Sequence, residues 1–257
     1  MTSLLQNHPL ISMITTLIIV MVCTAFAQWV VRRDRLVFWF RSDEAVDTYI
    51  SILTVFFGLL LGLVAVDLWN TREEAEKNTT NEANQIRILA DLTASLPGSN
   101  TVLITALGDY AQGVIKKEWP MMLSKQQREM FVASPELDNV RHAIMDLEPG
   151  TVAELAAFED ILGRFGQIVE ARQRRILDSE RELPAVLRLT LIIGALFMLF
   201  CTFFIESKHL HTQSMLAAVA GGYLFLIIYT ILILEHPFVG QSAVSFTPYE
   251  RVLEVLH

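Results

Sequence analysis

The stretch that decides the fold reads YISILTVFFGLLLGLVAVDLWN over residues 49–70. Between Tyr49 and Trp69 it holds one charged side chain, Asp67. An α-helix needs about 20 mostly apolar residues to cross roughly 30 Å of hydrocarbon, and this block meets that length. Three further blocks do the same: Leu10–Val31, Ala185–Ile205 and Ser214–Leu234. The first carries no charge and ends near Gln28 and Trp29, where an interfacial anchor belongs. The third has Arg188 one turn from its start, within snorkelling reach of the interface. The fourth contains Gly221-Gly222. Ala25-Phe26-Ala27 resembles a signal-peptide cleavage site. No Lys or Arg precedes that block, however, and its apolar run exceeds the usual signal core, so it reads as a membrane helix.

Composition agrees. Of 257 residues, 53% are hydrophobic and 19% charged, with a mean hydropathy of +0.42. Soluble domains carry about 25% charge. The formal net charge of −8 leaves no basic field to attract phosphate, so no nucleic-acid partner is expected. Cys23 and Cys201 both lie in apolar blocks, with no spacing for a disulfide framework or a zinc site. These features exclude a soluble secreted enzyme and a disordered tail.

Residues 70–184 are too many for a structureless loop. They hold 13 Lys and Arg against 19 Asp and Glu, a formal −6. Residues 71–96 continue the second membrane helix without Gly or Pro until Pro97-Gly98. Over 101–119, Val102, Leu103, Leu107, Tyr110, Val114 and Ile115 recur at helical spacing, and Pro120 is expected to break that helix. Ser134-Pro135 starts another, with Ser as N-cap, and Pro149-Gly150 ends it. A last helix over 151–183 is expected to bury Leu155, Phe158, Ile161, Leu162, Phe165, Ile168 and Val169 before Pro184 leads into the third block. The expected fold is an all-α membrane protein. It has four transmembrane helices and a helical extramembrane bundle formed by extensions of helices two and three. The division is 1–69 for membrane helices one and two, 70–184 for the helical domain, 185–236 for helices three and four, and 237–257 for a C-terminal segment.

Charge near the membrane ends leaves orientation open. Arg32, Arg33, Arg35 and Arg41 follow the first block, which places that loop in the cytoplasm and the large domain outside. Against this, Arg72, Lys77, Arg172, Arg174, Arg175 and Arg181 crowd the membrane-proximal ends of the large domain.

Enzyme signatures are missing: there is no Walker loop, no dinucleotide fingerprint, no G-x-S-x-G and no H-E-x-x-H. Glu206-x-x-His209 has the spacing of a di-iron ligand pair, but such a site needs a second copy and two more carboxylates. His209-x-His211 has the spacing to bind a metal at the end of helix three, but a solvated turn between membrane helices is the favoured reading. No catalytic residue, metal or cofactor is assigned.

The second membrane helix carries the most information. Projected at 100° per residue from Leu59, one stripe collects Ile52, Val55, Leu59, Gly62, Leu63, Val66, Asn70, Glu73, Lys77, Asn81, Asn84 and Ile88. It is apolar in the membrane and polar beyond. Asn78, Thr79 and Thr80 enrich the emerging stretch further. The stripe is either a packing seam within the protomer or a pore surface, in which copies around an axis would form an apolar constriction opening into a polar vestibule. The pore candidates are Ile52, Val55, Leu59, Leu63, Val66 and Asn70. The vestibule candidates are Asp67, Glu73, Glu74, Lys77 and Asn81.

The run from Phe57 to Asn70, the segment Glu235-His236-Pro237-Phe238-Val239-Gly240, and Arg172, Arg175 and Leu183-Pro184 together resemble the bestrophin-like domain family of bacterial membrane proteins. The resemblance covers about residues 45–250. A more distant similarity extends to bestrophins, which are pentameric anion channels lined by their second membrane helix. Gly58, Trp69 and Asn70 match the spacing of that helix. The family's apolar neck carries over to Ser51, Val55 and Leu59, without its aromatic residues. Pro237, Phe238 and Gly240 echo the segment after the fourth helix, but Gln241 to Thr247 contains no carboxylate for a calcium clasp.

The resemblance implies a homo-oligomer, pentameric, in a bacterial inner membrane, with the large domain cytoplasmic, where the arginine loop argues the opposite. It implies anion conduction along the second helix. Carboxylate rings at Asp67, Glu73 and Glu74 would instead favour cations. The partners are the lipid bilayer, further copies of the chain and the permeating ion. The competing reading is a non-conducting scaffold or sensor that binds a partner through its helical domain.

Overall fold

A computed structural model describes residues 9–33, 44–96, 101–123, 134–202, 210–239 and 243–256. Every secondary-structure element among them is helical. The helices are α1 (Pro9–Arg33), α2 (Glu44–Ser95), α3 (Thr101–Gly113), α4 (Trp119–Leu123), α5 (Pro135–Met145), α6 (Val152–Glu180), α7 (Ala185–Cys201), α8 (Leu210–Leu234) and α9 (Thr247–Leu256). A π-helical turn, Val114–Glu118, joins α3 to α4. Four stretches are long and apolar enough to cross a membrane: Met13–Val30, parts of Asp47–Ala94 and Val152–Cys201, and His211–Leu234.

At about 1.5 Å per residue, the 52 residues of α2 extend roughly 78 Å, more than twice a hydrocarbon core. Nothing in Glu44–Ser95 interrupts it, because its only glycines, Gly58 and Gly62, sit inside an otherwise strongly apolar run. The chain divides into two compact units, residues 1–68 with 183–235, and residues 69–182 with 236–257.

In the first unit, α1 lies against α8, and the approach is close because α8 offers Gly221 and Gly222. A Cβ on Gly221 would stand 2.8 Å from Thr24 Cγ2, and one on Gly222 2.8 Å from Met21 Cγ. The other core of this unit gathers Phe57, Leu61, Val64 and Leu68 from α2, Leu191 and Ala195 from α7, and Ile231 and Leu234 from α8. Small residues at contacts are the usual solution in a bilayer, where lipid is as apolar as leucine and packing must drive association. Arg188 does not snorkel freely. Its guanidinium pairs with the buried carboxylate of Glu235 at the end of α8. An acid without a neighbouring cation would be costly there.

In the second unit, Ile86 and Leu89 of α2 pack with Leu103 and Leu107 of α3, Val140 and Ile144 of α5, and Ile161 and Ile168 of α6. Ser134 caps α5 by accepting from Leu137 N–H at 3.3 Å, with Pro135 in the first turn. Thr151 and Glu154 form a reciprocal capping box on α6. Leu155 does not join the core. It is about half exposed in the first turn of α6, ahead of where packing begins at Phe158 and Ile161.

Pro120 does not break its helix. The π turn before it closes with Trp119 N–H donating to Val114 O, one residue further back than in an α-helix. This widening gives room for a ring that would otherwise press on the preceding turn, and the helix resumes as α4. The bundle helix expected over 151–183 ends at Glu180, with Arg181 extended and Pro184 starting α7.

The α1–α8 contact gives a direct test. Gly221→Val should lower the thermal midpoint of the detergent-solubilised protein, because overpacking costs about 1–3 kcal/mol. Gly58→Ala, where nothing lies within 4 Å of an added Cβ, should leave it within about 1 kcal/mol of wild type.

Candidate functional site

The two faces of α2 differ sharply. One face is a buried seam: Phe57, Leu61, Val64, Leu68, Ala75, Thr79, Glu82, Ile86 and Leu89. The other is the stripe found by helical projection. Ile52, Val55, Leu59, Leu63 and Val66 are all exposed, Val55 to 71% and Leu59 to 60%. Asn70, Glu73, Lys77, Asn81 and Asn84 continue it as exposed polar residues, and Ile88 is half-buried. Among the described residues, the stripe is therefore not taken up in packing within the protomer. Ser51 is exposed too, with its hydroxyl donating back to Asp47 O at 2.8 Å.

The vestibule candidates separate by partner. Lys77 Nζ lies 2.6 Å from Glu73 Oε1, one turn away on the same stripe. Glu74 leaves the stripe and accepts from Arg181 at 3.0 Å. Asn81 accepts from Gln85 Nε2 at 3.2 Å. Asp67 is exposed at the end of the apolar run. Glu206 and His209 lie outside the described residues. Among the described residues, no group of three His, Cys, Asp or Glu side chains is placed to hold a metal ion.

A second constellation escaped the sequence analysis. Arg175 of α6 has no exposed surface. Its Nε donates to Glu82 Oε2 at 2.8 Å and its Nη2 to Glu118 Oε2 at 2.6 Å. Arg172, one turn earlier, donates to Glu118 Oε1 at 2.9 Å. Tyr110 OH donates to Glu82 Oε1 at 2.6 Å. The Arg175 guanidinium stands over the Tyr249 ring, 5.8 Å from its centroid. Trp119 meets Phe238, Phe246 and Tyr249 edge-on, closing the aromatic side. The π turn ends at Glu118, so the extra residue in that turn fixes where this carboxylate points.

Two guanidiniums and two carboxylates balance in charge, and each acid accepts more than one hydrogen bond. Burial alone would raise the Glu118 pKa, but Arg175 and Arg172 outweigh it and hold it below the usual 4.5. Burial, reinforced by the charge on Glu82, pushes the Tyr110 hydroxyl well above 10.0, so it remains a donor. Tyr249 is raised likewise, first by burial. The arrangement is sealed, and its charges are paired internally. It ties α2, the π turn and α6 together.

The signal for this cluster was partly in the sequence. Glu82 sits on the 3.5-spaced apolar seam of α2, where an acid is out of place unless paired.

The bestrophin-like domain family model matches residues 14–249, and the chain belongs to that family. A crystal structure of a bacterial bestrophin homologue from Klebsiella pneumoniae, a point variant, is similar with a TM-score of 0.73 at 13% sequence identity. The match covers 95% of this chain and 97% of that one. The protein is thus an all-helical membrane protein of bestrophin fold, and bestrophins are ion channels. No curated protein matches the chain.

Breaking the cluster should be severe. Arg175→Met strands the buried carboxylate of Glu82 and leaves Glu118 to Arg172 alone, and should destabilise the protein by about 3–5 kcal/mol, read as a fall in unfolding midpoint. Because Glu118 holds its proton less tightly folded than unfolded, its contribution is complete above pH 4.5 and is lost as pH falls through the lower folded value. Tyr110 and Tyr249 act on the other side, where stability declines as pH rises above 10.0. Glu118→Gln should flatten the acid limb of the midpoint-against-pH curve and leave the alkaline limb in place.

Proposed function

We propose that this protein is a homo-oligomeric ion channel, pentameric and anion-conducting, with α2 lining a central pore. The observation that carries the reading is the unpacked stripe of α2. A large apolar face left open on a membrane helix requires lipid or another copy as its neighbour, and this one passes without a break into a line of amides and charges. Lipid would cover the apolar part and water the polar part; an axial pore accounts for both as one continuous path. Ile52, Val55, Leu59, Leu63 and Val66 would form the apolar constriction, and Asn70 would open the vestibule. Such constrictions gate by dewetting.

The vestibule charges favour anions over the cation alternative. Glu74 is engaged by Arg181, and Glu73 is opposed by Lys77 on the same stripe. Two of the three carboxylates that would select cations, Glu73 and Glu74, are therefore offset. The family's setting supports a bacterial inner membrane, with residues 70–184 and 237–257 on the cytoplasmic side and residues 1–69 and 185–236 as the membrane part. A scaffold that conducts nothing is the competing reading.

Reconstitution in planar bilayers under a KCl gradient tests this. The reversal potential should follow chloride. Leu59→Ala should raise unitary conductance by removing bulk from the constriction. Lys77→Gln leaves Glu73 unopposed and should shift the permeability ratio toward potassium by about tenfold, the scale on which one-signed clefts concentrate counter-ions. Folded, oligomeric protein that passes no ion would favour the scaffold.

A further inference from the structure

We infer that the helical unit holds a binding cleft for a phosphate-bearing anion between α2 and α9, separate from the pore. Almost every described arginine of this unit is paired with a carboxylate. Arg141 meets Asp138, Arg164 meets Asp160, Arg174 meets Glu170 and Arg181 meets Glu74, while Arg172 and Arg175 share the buried cluster. Arg72 reaches Glu76 at 3.9 Å. Arg87 and Arg251 are the exceptions: neither makes an ion pair among the described residues. Both line one cleft of about 530 Å³.

The segment 70–184 carries a formal −6, so acids are plentiful, yet two guanidiniums from different elements face a common space with neither in an ion pair among the described residues. Thr80 on α2, and Ser245 and Thr247 at the start of α9, add hydroxyls to the same wall. α9 runs ten residues from Thr247, and its positive N-terminal end adjoins the cleft. Val244 and Val252 give an apolar wall. Glu76 is the acid that lines the cleft, one carboxylate against two guanidiniums. Guanidinium forks match the oxygens of phosphate in paired hydrogen bonds, which a carboxylate-poor cleft of this size would reward. The volume lies within the usual range for small-molecule sites. Arg87 stands about 27 Å along α2 beyond Trp69, at 1.5 Å per residue, which favours a soluble phosphate compound over a lipid headgroup.

The test is calorimetric titration of inorganic pyrophosphate into the full-length protein in an uncharged detergent at fixed ionic strength. One saturable site per protomer is expected. Arg87→Gln and Arg251→Gln should each weaken binding by about tenfold, as for a lost charge-assisted hydrogen bond, with Arg→Lys losing less. Both side chains are exposed, so the variants should keep the wild-type circular dichroism and elution volume. Short-chain phosphatidylglycerol that fails to displace pyrophosphate confirms the soluble source. Displacement by it keeps the phosphate site but makes a lipid headgroup its occupant. No saturable binding, or equal affinity in wild type and both glutamine variants, overturns the proposal. Neither result depends on whether the protein conducts.

Discussion

The helical unit is organised around a charge that water cannot reach. Arg175 keeps a guanidinium with no exposed surface, and only its ring of partners makes that tolerable. Glu82 comes from α2, Glu118 from the π turn, and Arg172 from the turn before on α6. Removing water from an ion costs several kcal/mol even after relaxation, so each partner must be held in place by its own helix. The π turn follows from that requirement. An α-helical path from Thr101 through Pro120 would set Glu118 at a different angle, and the proline would crowd the turn behind it. One local irregularity resolves both problems. The apolar core around Ile86, Leu107 and Ile168 supplies most of the burial, while the ion cluster restricts how those helices can meet.

The membrane unit obeys a different rule. Between α1 and α8, and between α2 and α7, glycines let neighbouring side chains or helices approach where leucines could not. What this packing leaves out matters as much. The stripe from Ile52 to Val66 is left exposed among the described residues, although Phe57 and Leu61, two positions from Leu59, are buried. In the membrane, lipid or further copies of the chain must cover that face.

Most of the architecture was readable in the residues. Four apolar blocks of membrane length, the uninterrupted run from Tyr49 to Ser95, Ser134 ahead of Pro135, and Thr151 three residues before Glu154 are local signals, and local physics suffices to interpret them. The stripe was equally accessible, since it depends only on helical period. Pro120 misled because a proline ordinarily ends a helix, and nothing in VIKKE announces a π turn. The ion cluster was hidden because its members lie far apart in the chain; Glu82 and Arg175 are 93 residues apart. Arg172 and Arg175 looked like membrane-proximal positive charges, whereas their guanidiniums are spent on Glu118 and Glu82 inside the bundle. Sequence counting cannot distinguish an arginine facing headgroups from one facing a buried acid.

The helical unit is discontinuous, and that has a consequence in time. Its aromatic cover, Phe238, Phe246 and Tyr249, is encoded after α7 and α8. During synthesis, Glu82, Glu118 and Arg175 emerge well before the ring that will lie over the guanidinium. Two apolar helices must be made in between. The unit therefore cannot reach its sealed state in chain order. Until the final segment arrives, the Tyr249 ring is absent from over Arg175, and completion of the helical unit waits on synthesis of both later membrane helices.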